Sequence, residues 1–98
     1  MRESVDCKVH DGKIVCVFSG KLDTGACADI EAAIRSEVAD PGMPVVFDLA
    51  DIDYVSSAFL RICLKTAKQS RDFSIVHVEP AIKKVFMIAG FDRILRIE

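Results

Sequence analysis

The chain has 98 residues, of which 51% are hydrophobic and 29% charged, and a formal net charge of -2. This length suits one domain, which we expect over residues 1–98, and no apolar run approaches the roughly 20 residues that a membrane span requires. Acidic and basic residues are mixed along the chain and form no basic patch for nucleic acid, so we expect a protein partner and no nucleic-acid binding. Charged residues interrupt the start of the chain, where an export signal would be apolar, so we expect a cytoplasmic protein without membrane insertion.

Strand patterns come first along the chain. Val5, Cys7 and Val9 alternate with polar residues, which is typical of a half-buried edge strand. Asp11-Gly12 is a hairpin signal, and the apolar run after it is typical of a strand covered on both faces. A similar apolar run at residues 45–49 precedes an acidic loop at residues 51–53, and shorter apolar runs follow at residues 73–78 and 94–97. These patterns predict strands over 5–9, 14–18, 45–49, 73–78 and 94–97.

Helix patterns separate these strands. Asp23 or Thr24 can cap a first helix, whose apolar residues recur with a helical period up to a proline-glycine breaker. A second amphipathic helix follows the acidic loop. Pro80 fits the first turn of a short third helix, and Gly90 fits its end. These patterns predict helices over 24–39, over 57–70 and between Pro80 and Gly90.

The order of these elements predicts an α/β fold. Because strands that alternate with helices are joined by right-handed crossovers, we expect one mixed, mostly parallel sheet of four to five strands with three to four helices. The first hairpin strand is expected to be antiparallel at the rim of the sheet. Functional loops in such sheets lie at the carboxyl ends of the strands. Here these loops are residues 20–25, residues 51–57 and the Glu79-Pro80 turn.

The cysteines and loop acids do not indicate a metal site or a cofactor. The four cysteines form no C-x-x-C pair and occupy apolar positions, so we interpret them as small core residues; a zinc or redox site that uses a histidine lacks ligand spacing. Asp51 and Asp53 could form a metal pair or an acid–base couple, but solvated loop acids are the simpler interpretation. No nucleophile–base pair indicates an enzyme. The cysteines are Cys7, Cys16, Cys27 and Cys63.

Two motifs and the C-terminal segment have the order and spacing of one known family. Residues 19–23, with the letters SGKLD, match an S-G-x-L-D turn before the first helix. Residues 46–49 and 53–61 match a D-L-x-x-V-x-Y-I-x-S-x-G-L segment, and residues 80–97 fit a closing helix and strand. Over nearly its full length the chain therefore resembles the STAS family, the domain named for sulfate transporters and anti-sigma factor antagonists.

The resemblance implies a regulatory function. Single-domain members of the family bind an anti-sigma factor that is also a serine kinase of the GHKL ATPase type, and so release a sigma factor. Phosphorylation of a serine at the start of the second helix ends that binding. Alignment on the family's hydrophobic-D-S-S-G-L segment puts Ser57 on the phosphoacceptor and makes Ser56 the second choice. We expect the partner to bind through Asp23, Asp53, Ser56, Ser57, Phe59 and Arg61.

Two positions in this segment differ from the family pattern. Ser56 stands where aspartate is frequent, and Phe59 stands where glycine is usual, one turn into the helix. A phenylalanine there either fills a pocket in a partner or folds into the core. The alternative function is an accessory STAS subunit of a transport assembly or a larger signalling complex, in which Ser57 only caps the helix and Phe59 anchors a neighbouring subunit. The sequence leaves the oligomeric state open.

Overall fold

In the computed structural model, five strands and three helices alternate along residues 5–37, 42–70, 72–93 and 95–98, the part of the chain that the structure describes. The strands form one sheet in the order of the sequence, with the first pair antiparallel and the other pairs parallel. This confirms the predicted mixed, mostly parallel α/β sheet. The elements are β1 (Val5–His10), β2 (Lys13–Phe18), α1 (Thr24–Glu37), β3 (Val45–Asp48), α2 (Ser57–Gln69), β4 (Phe73–Val76), α3 (Pro80–Ile88), a 3-10 turn (Phe91–Arg93) and β5 (Arg96–Ile97).

A few residues with a left-handed backbone set the ends of these elements. Asp11 and Gly12 have φ angles of 53° and 75°, which is the two-residue turn that matches the twist of a hairpin. Gly90, at φ 82°, follows α3 as predicted. The fourth strand was predicted to reach residue 78 but ends at Val76, because His77 adopts a φ of 58° that no strand accommodates.

The predicted end of one helix differs slightly from the observed one, and two other predicted ends lie outside the described residues. Helix α2 ends one residue early, since Ser70 has the extended backbone of a C-cap and donates its N–H to the Thr66 carbonyl at 3.0 Å. Helix α1 is described as far as Glu37, so the predicted end at residue 39 lies outside the described residues. The predicted final strand begins at Ile94, which also lies outside them, and β5 covers Arg96–Ile97.

All three helices pack on one face of the sheet. The parallel strands follow one another in order across the sheet, so right-handed crossovers place every connecting helix on the same side. Ile14, Cys16 and Phe18 of β2 face that side and are buried. The expectation that β2 is covered on both faces is wrong, because Val17 points to the other face and is 43% exposed.

The core is rich in aromatic rings. The Phe47 ring lies 4.8 Å from the Phe18 ring and 4.8 Å from the Phe73 ring, centroid to centroid, both edge-on. Ile82 and Phe86 of α3 belong to the same buried cluster, so one core holds the whole described part of the chain together. None of the described helices is both long and apolar enough to cross a membrane.

Candidate functional site

The loops after β2 and β3 are joined into one unit at the carboxyl edge of the sheet. The Ser56 N–H donates to the Leu22 carbonyl at 3.0 Å, and the Leu22 N–H donates to the Tyr54 carbonyl at 3.4 Å. Leu22 and Val55 form an isolated parallel bridge, and both side chains are buried. The bridge and the buried side chains therefore hold the starts of α1 and α2 side by side.

Asp23 forms the start of α1. Its Oδ1 accepts a hydrogen bond from the Ala26 N–H at 2.9 Å, which makes Asp23 the N-cap among the two predicted candidates. The residue is exposed. The first turn of α1 then places the buried Cys27 Sγ 3.7 Å from the Ser56 Oγ. Asp23 thus combines a capping function with a position at the surface beside the start of α2.

The two serines at the start of α2 have different environments. Ser56 is the N-cap: its backbone is extended, only 9% of the residue is exposed, and its Oγ accepts from the Phe59 N–H at 3.4 Å. Ser57 is the first residue of the helix and is exposed. The hydroxyl of an N-cap residue turns back over the helix end to accept from a backbone N–H, as the Ser56 hydroxyl does. Ser57 therefore presents its hydroxyl at the surface, and Ser56 directs its hydroxyl inward.

Phe59 lies in the core rather than at the surface. Its side chain is fully buried, and its ring meets the Phe18 ring edge-on at 5.2 Å and the Phe47 ring at 6.1 Å, centroid to centroid. Phe59 falls on the sheet-facing side of α2, with Ile62 and Cys63. The expectation that Phe59 contacts a partner is wrong, because a ring enclosed on all sides offers no surface. Phe59 was predicted either to fill a pocket in a partner or to fold into the core of this domain, and the structure places it in the core.

Of the other predicted partner-binding residues, Asp53 and Arg61 are exposed at the same edge, whereas Ser56 is buried and, like Phe59, offers no surface to a partner. Asp53 lies in the loop before α2, and Arg61 lies one helical turn after Ser57 on the same side of the helix. Sequence reasoning missed Tyr54, which is 46% exposed in the same loop. The available signal was an aromatic residue inside an acidic loop, since exposed tyrosines are enriched where proteins bind one another. We call this surface the Ser57 edge; it consists of Asp23, Asp53, Tyr54, Ser57 and Arg61.

A shallow groove between α1 and α2 continues the Ser57 edge. It has a volume of about 210 Å³, and Thr24, Ala58 and Arg61 line the end near Ser57. An ion pair closes it farther along, where the Lys65 Nζ lies 2.7 Å from the Glu31 Oε2. The hydrogen bond from Lys65 holds the pKa of the Glu31 carboxyl below its ordinary range, with help from the charges of nearby arginines. The groove is thus polar and basic on its α2 side.

The thiols beside the site are held in their neutral form. Burial raises the pKa of the Cys27 thiol, although the hydrogen bond with Ser56 opposes the shift. Burial raises the pKa of the Cys63 thiol well above its ordinary value. Within the described ranges, no three histidine, cysteine or acidic side chains cluster as metal ligands would. The chemistry that this edge offers is therefore an exposed hydroxyl with acidic, basic and aromatic neighbours.

Comparisons with known proteins agree with this architecture. The BtrV protein of Bordetella bronchiseptica, provisionally assigned as an anti-sigma factor antagonist, is 33% identical over 85 residues, which are 83% of this chain and 73% of BtrV. The anti-sigma-F factor antagonist RsfB of Mycobacterium tuberculosis is 29% identical over 91 residues, which are 90% of this chain and 75% of RsfB. The crystal structure of an anti-sigma factor antagonist from Mycobacterium paratuberculosis superimposes with a TM-score of 0.88 at 27% identity, and covers 96% of this chain and 83% of that one.

The family match extends over almost the whole sequence. The model described as "STAS domain" matches residues 4–98, which include both loops of the Ser57 edge and every element of the sheet. The order of strands and helices and the two relatives named as anti-sigma factor antagonists point the same way. This chain belongs to the STAS domain family.

Proposed function

We propose that this protein is an anti-sigma factor antagonist that is switched by phosphorylation of Ser57. Its partner is an anti-sigma factor that is also a serine kinase of the GHKL type, and the contact surface is the Ser57 edge. The names of BtrV and RsfB support the class of partner. The observation that carries the proposal is the exposed position of Ser57 at the first residue of α2, next to a buried neighbour.

The helix end accommodates a phosphate without a change of fold. Phosphorylation adds about -1.5 to -2 charges and three acceptor oxygens. At a helix N-terminus the dipole favours an anion by roughly 0.3 to 1 kcal/mol. Arg61, one turn along α2 on the same face as Ser57, offers a cation at the i,i+4 spacing. The free protein therefore keeps its structure when Ser57 is modified.

The complex, in contrast, is destabilised. A partner that covers Ser57 must strip water from a doubly charged group, and an acidic partner residue facing Arg61 would be repelled by the new charge. A penalty of about 3 kcal/mol weakens the association roughly a hundredfold, since 1.4 kcal/mol is a factor of ten. We infer a docking switch in which the contact surface changes and the fold does not.

Phosphorylation is tested with matched serine variants. The purified chain, Ser57→Ala and Ser56→Ala are each incubated with labelled ATP and the serine kinases of the host, and the modified residue is mapped by mass spectrometry. We expect label on the wild type and on Ser56→Ala, and none on Ser57→Ala. Label on Ser56, or label that persists in Ser57→Ala, contradicts the proposal.

Binding is tested with a charge mimic. In calorimetric titrations, the anti-sigma factor should bind Ser57→Asp far more weakly than Ser57→Ala. It should bind the phosphorylated chain roughly a hundredfold more weakly than the unmodified chain. Heteronuclear NMR spectra of Ser57→Asp should match the wild type outside the Ser57 edge. Equal affinities would refute the switch, and shifts spread across the sheet would refute its docking mechanism.

The accessory-subunit alternative is less well supported. It used Phe59 as the anchor for a neighbouring subunit, and the complete burial of that ring removes the anchor. We therefore propose a cytoplasmic regulator without an enzymatic reaction of its own. Its modification would be catalysed by the partner kinase.

A further inference from the structure

Two cysteines face each other across the edge hairpin. The register of β1 and β2 places Cys7 directly opposite Cys16. The Cys7 thiol donates to the Cys16 sulfur, with the two sulfur atoms 2.8 Å apart. Cys7 is half-buried, and Cys16 is fully buried on the helix-covered side of the sheet. The predicted interpretation of all four cysteines as packing residues does not account for this pairing.

The hairpin turn determines which kind of cross-strand pair the cysteines form. In a hairpin with a two-residue turn, the residues that flank the turn, here His10 and Lys13, exchange backbone hydrogen bonds. Hydrogen-bonded and non-hydrogen-bonded pairs then alternate along the strands, which makes Cys7 and Cys16 a non-hydrogen-bonded pair. The Cα atoms of such pairs lie about 4.5 Å apart, inside the range of about 4.4 to 6.8 Å that a disulfide spans.

We infer that Cys7 and Cys16 are a redox modification site that forms a reversible cross-strand disulfide when the protein meets a peroxide. The pair lies in the edge hairpin of the sheet with Cys7 half-buried, and disulfides that solvent reaches are reduced more readily than enclosed structural ones. A bond of this kind suits a regulatory site, because cellular dithiols can reverse it.

The reaction balances with hydrogen peroxide as the oxidant. The sulfur of the half-buried Cys7 attacks one peroxide oxygen; an S–O bond forms, the O–O bond breaks, and the hydroxide that leaves takes the Cys7 thiol proton to become water. The Cys16 sulfur then attacks the Cys7 sulfur, an S–S bond forms, and the S–O bond breaks. The second hydroxide takes the Cys16 proton as water. Two thiols lose two electrons, and the peroxide gains them.

The other two cysteines are less suited to this chemistry. Cys63 is enclosed in the core, and Cys27 is 3% exposed at the start of α1. The pKa of each is raised by burial, which lowers the fraction of the reactive thiolate. Oxidation at the hairpin would tie the edge strand β1 to β2 and leave the Ser57 edge unmodified. The proposed oxidation therefore modifies residues other than those of the serine switch.

The full chain treated with hydrogen peroxide tests the inference. Mass spectrometry should show a loss of about 2 Da per chain, with protease fragments of the wild type linking Cys7 to Cys16, and dithiothreitol should restore the original mass. Cys27→Ser is the matched control and should still lose this mass. Cys7→Ser should not.

Three results would overturn the inference. They are a linkage to Cys27 or Cys63, a disulfide between two chains, and oxygen addition at Cys7 that is not followed by loss of water. Because the fragment map uses the wild-type chain, it remains decisive if a cysteine variant fails to fold.

Discussion

Replacement of Phe59 by alanine removes a ring from the centre of the aromatic cluster. The side chain is fully buried, and its ring lies 5.2 Å from the Phe18 ring and 6.1 Å from the Phe47 ring. Truncation of a buried phenylalanine costs about 3 to 5 kcal/mol, and each well-oriented ring pair contributes about 0.5 to 1.5 kcal/mol beyond area. We expect a loss of about 4 kcal/mol, a large part of the ~5 to 15 kcal/mol of a typical domain.

Urea unfolding followed by far-ultraviolet circular dichroism measures this loss, because the chain has no tryptophan for fluorescence. Phe59→Leu keeps most of the volume and should cost only about 1.5 kcal/mol. Tyr54→Ala is the matched aromatic control at the surface and should stay within about 0.5 kcal/mol of the wild type. If Phe59→Ala lost less than about 1 kcal/mol while its affinity for a partner fell, the ring would have to lie at the surface, and our account of α2 would be refuted.

Three further predictions concern the starts of the helices and the groove between them. Ser56→Ala should lower the free energy of unfolding by about 1 kcal/mol in urea titrations, since it removes the α2 cap, and an unchanged value would contradict the capping assignment. After alkylation of the folded protein at pH 8, mass spectrometry should find Cys27 and Cys63 unmodified, because burial raises the pKa of both thiols above the ordinary 9.0. For the same reason, the stability that these buried neutral thiols contribute is present below pH 9.0 and is lost as the pH rises through their folded pKa values. Glu31→Gln should lower the melting temperature at neutral pH, because the folded pKa of Glu31 is depressed by its ion pair with Lys65. The difference from the wild type should vanish as the pH falls below 4.5, the ordinary pKa of a glutamate, and through the folded pKa of Glu31; a difference that persists in acid would contradict the ion pair.

Much of the fold could be predicted from the sequence, because the local turn, strand and helix patterns agree with the order of the strands in the sheet. The Asp11-Gly12 turn predicts the hairpin and the alternation of strand and helix patterns predicts a parallel sheet, and the structure has both. The exposed face of β2 was not predictable, since an apolar run has the same letters whether one or both of its faces are covered. The end of β4 was not predictable either, because nothing in the sequence around His77 demands a left-handed residue there.

The sequence predicts where the candidate site lies along the chain but not how its side chains are oriented. The strand-to-helix pattern located the loops before α1 and α2, and the family resemblance singled out Ser57. Whether Phe59 faces a partner or the core depends on the helical phase relative to the sheet, which only the packed structure fixes. The contact of Cys7 with Cys16 depends in the same way on strand register, which the sequence predicts only once the hairpin turn is known.

In the proposed switch, the order of the two serines allows one helix start to be both stable and open to modification. An N-cap hydroxyl must fold back over the first turn, and the Ser56 Oγ does so toward the Phe59 N–H and the Cys27 Sγ. A phosphate on Ser56 would place a dianion in a position that is 9% exposed and would break the cap. The same group on Ser57 lies in solvent at the positive end of the helix. A switch that changes binding without unfolding the protein therefore requires the modified hydroxyl to be on the first helical residue, with the cap on the residue before it.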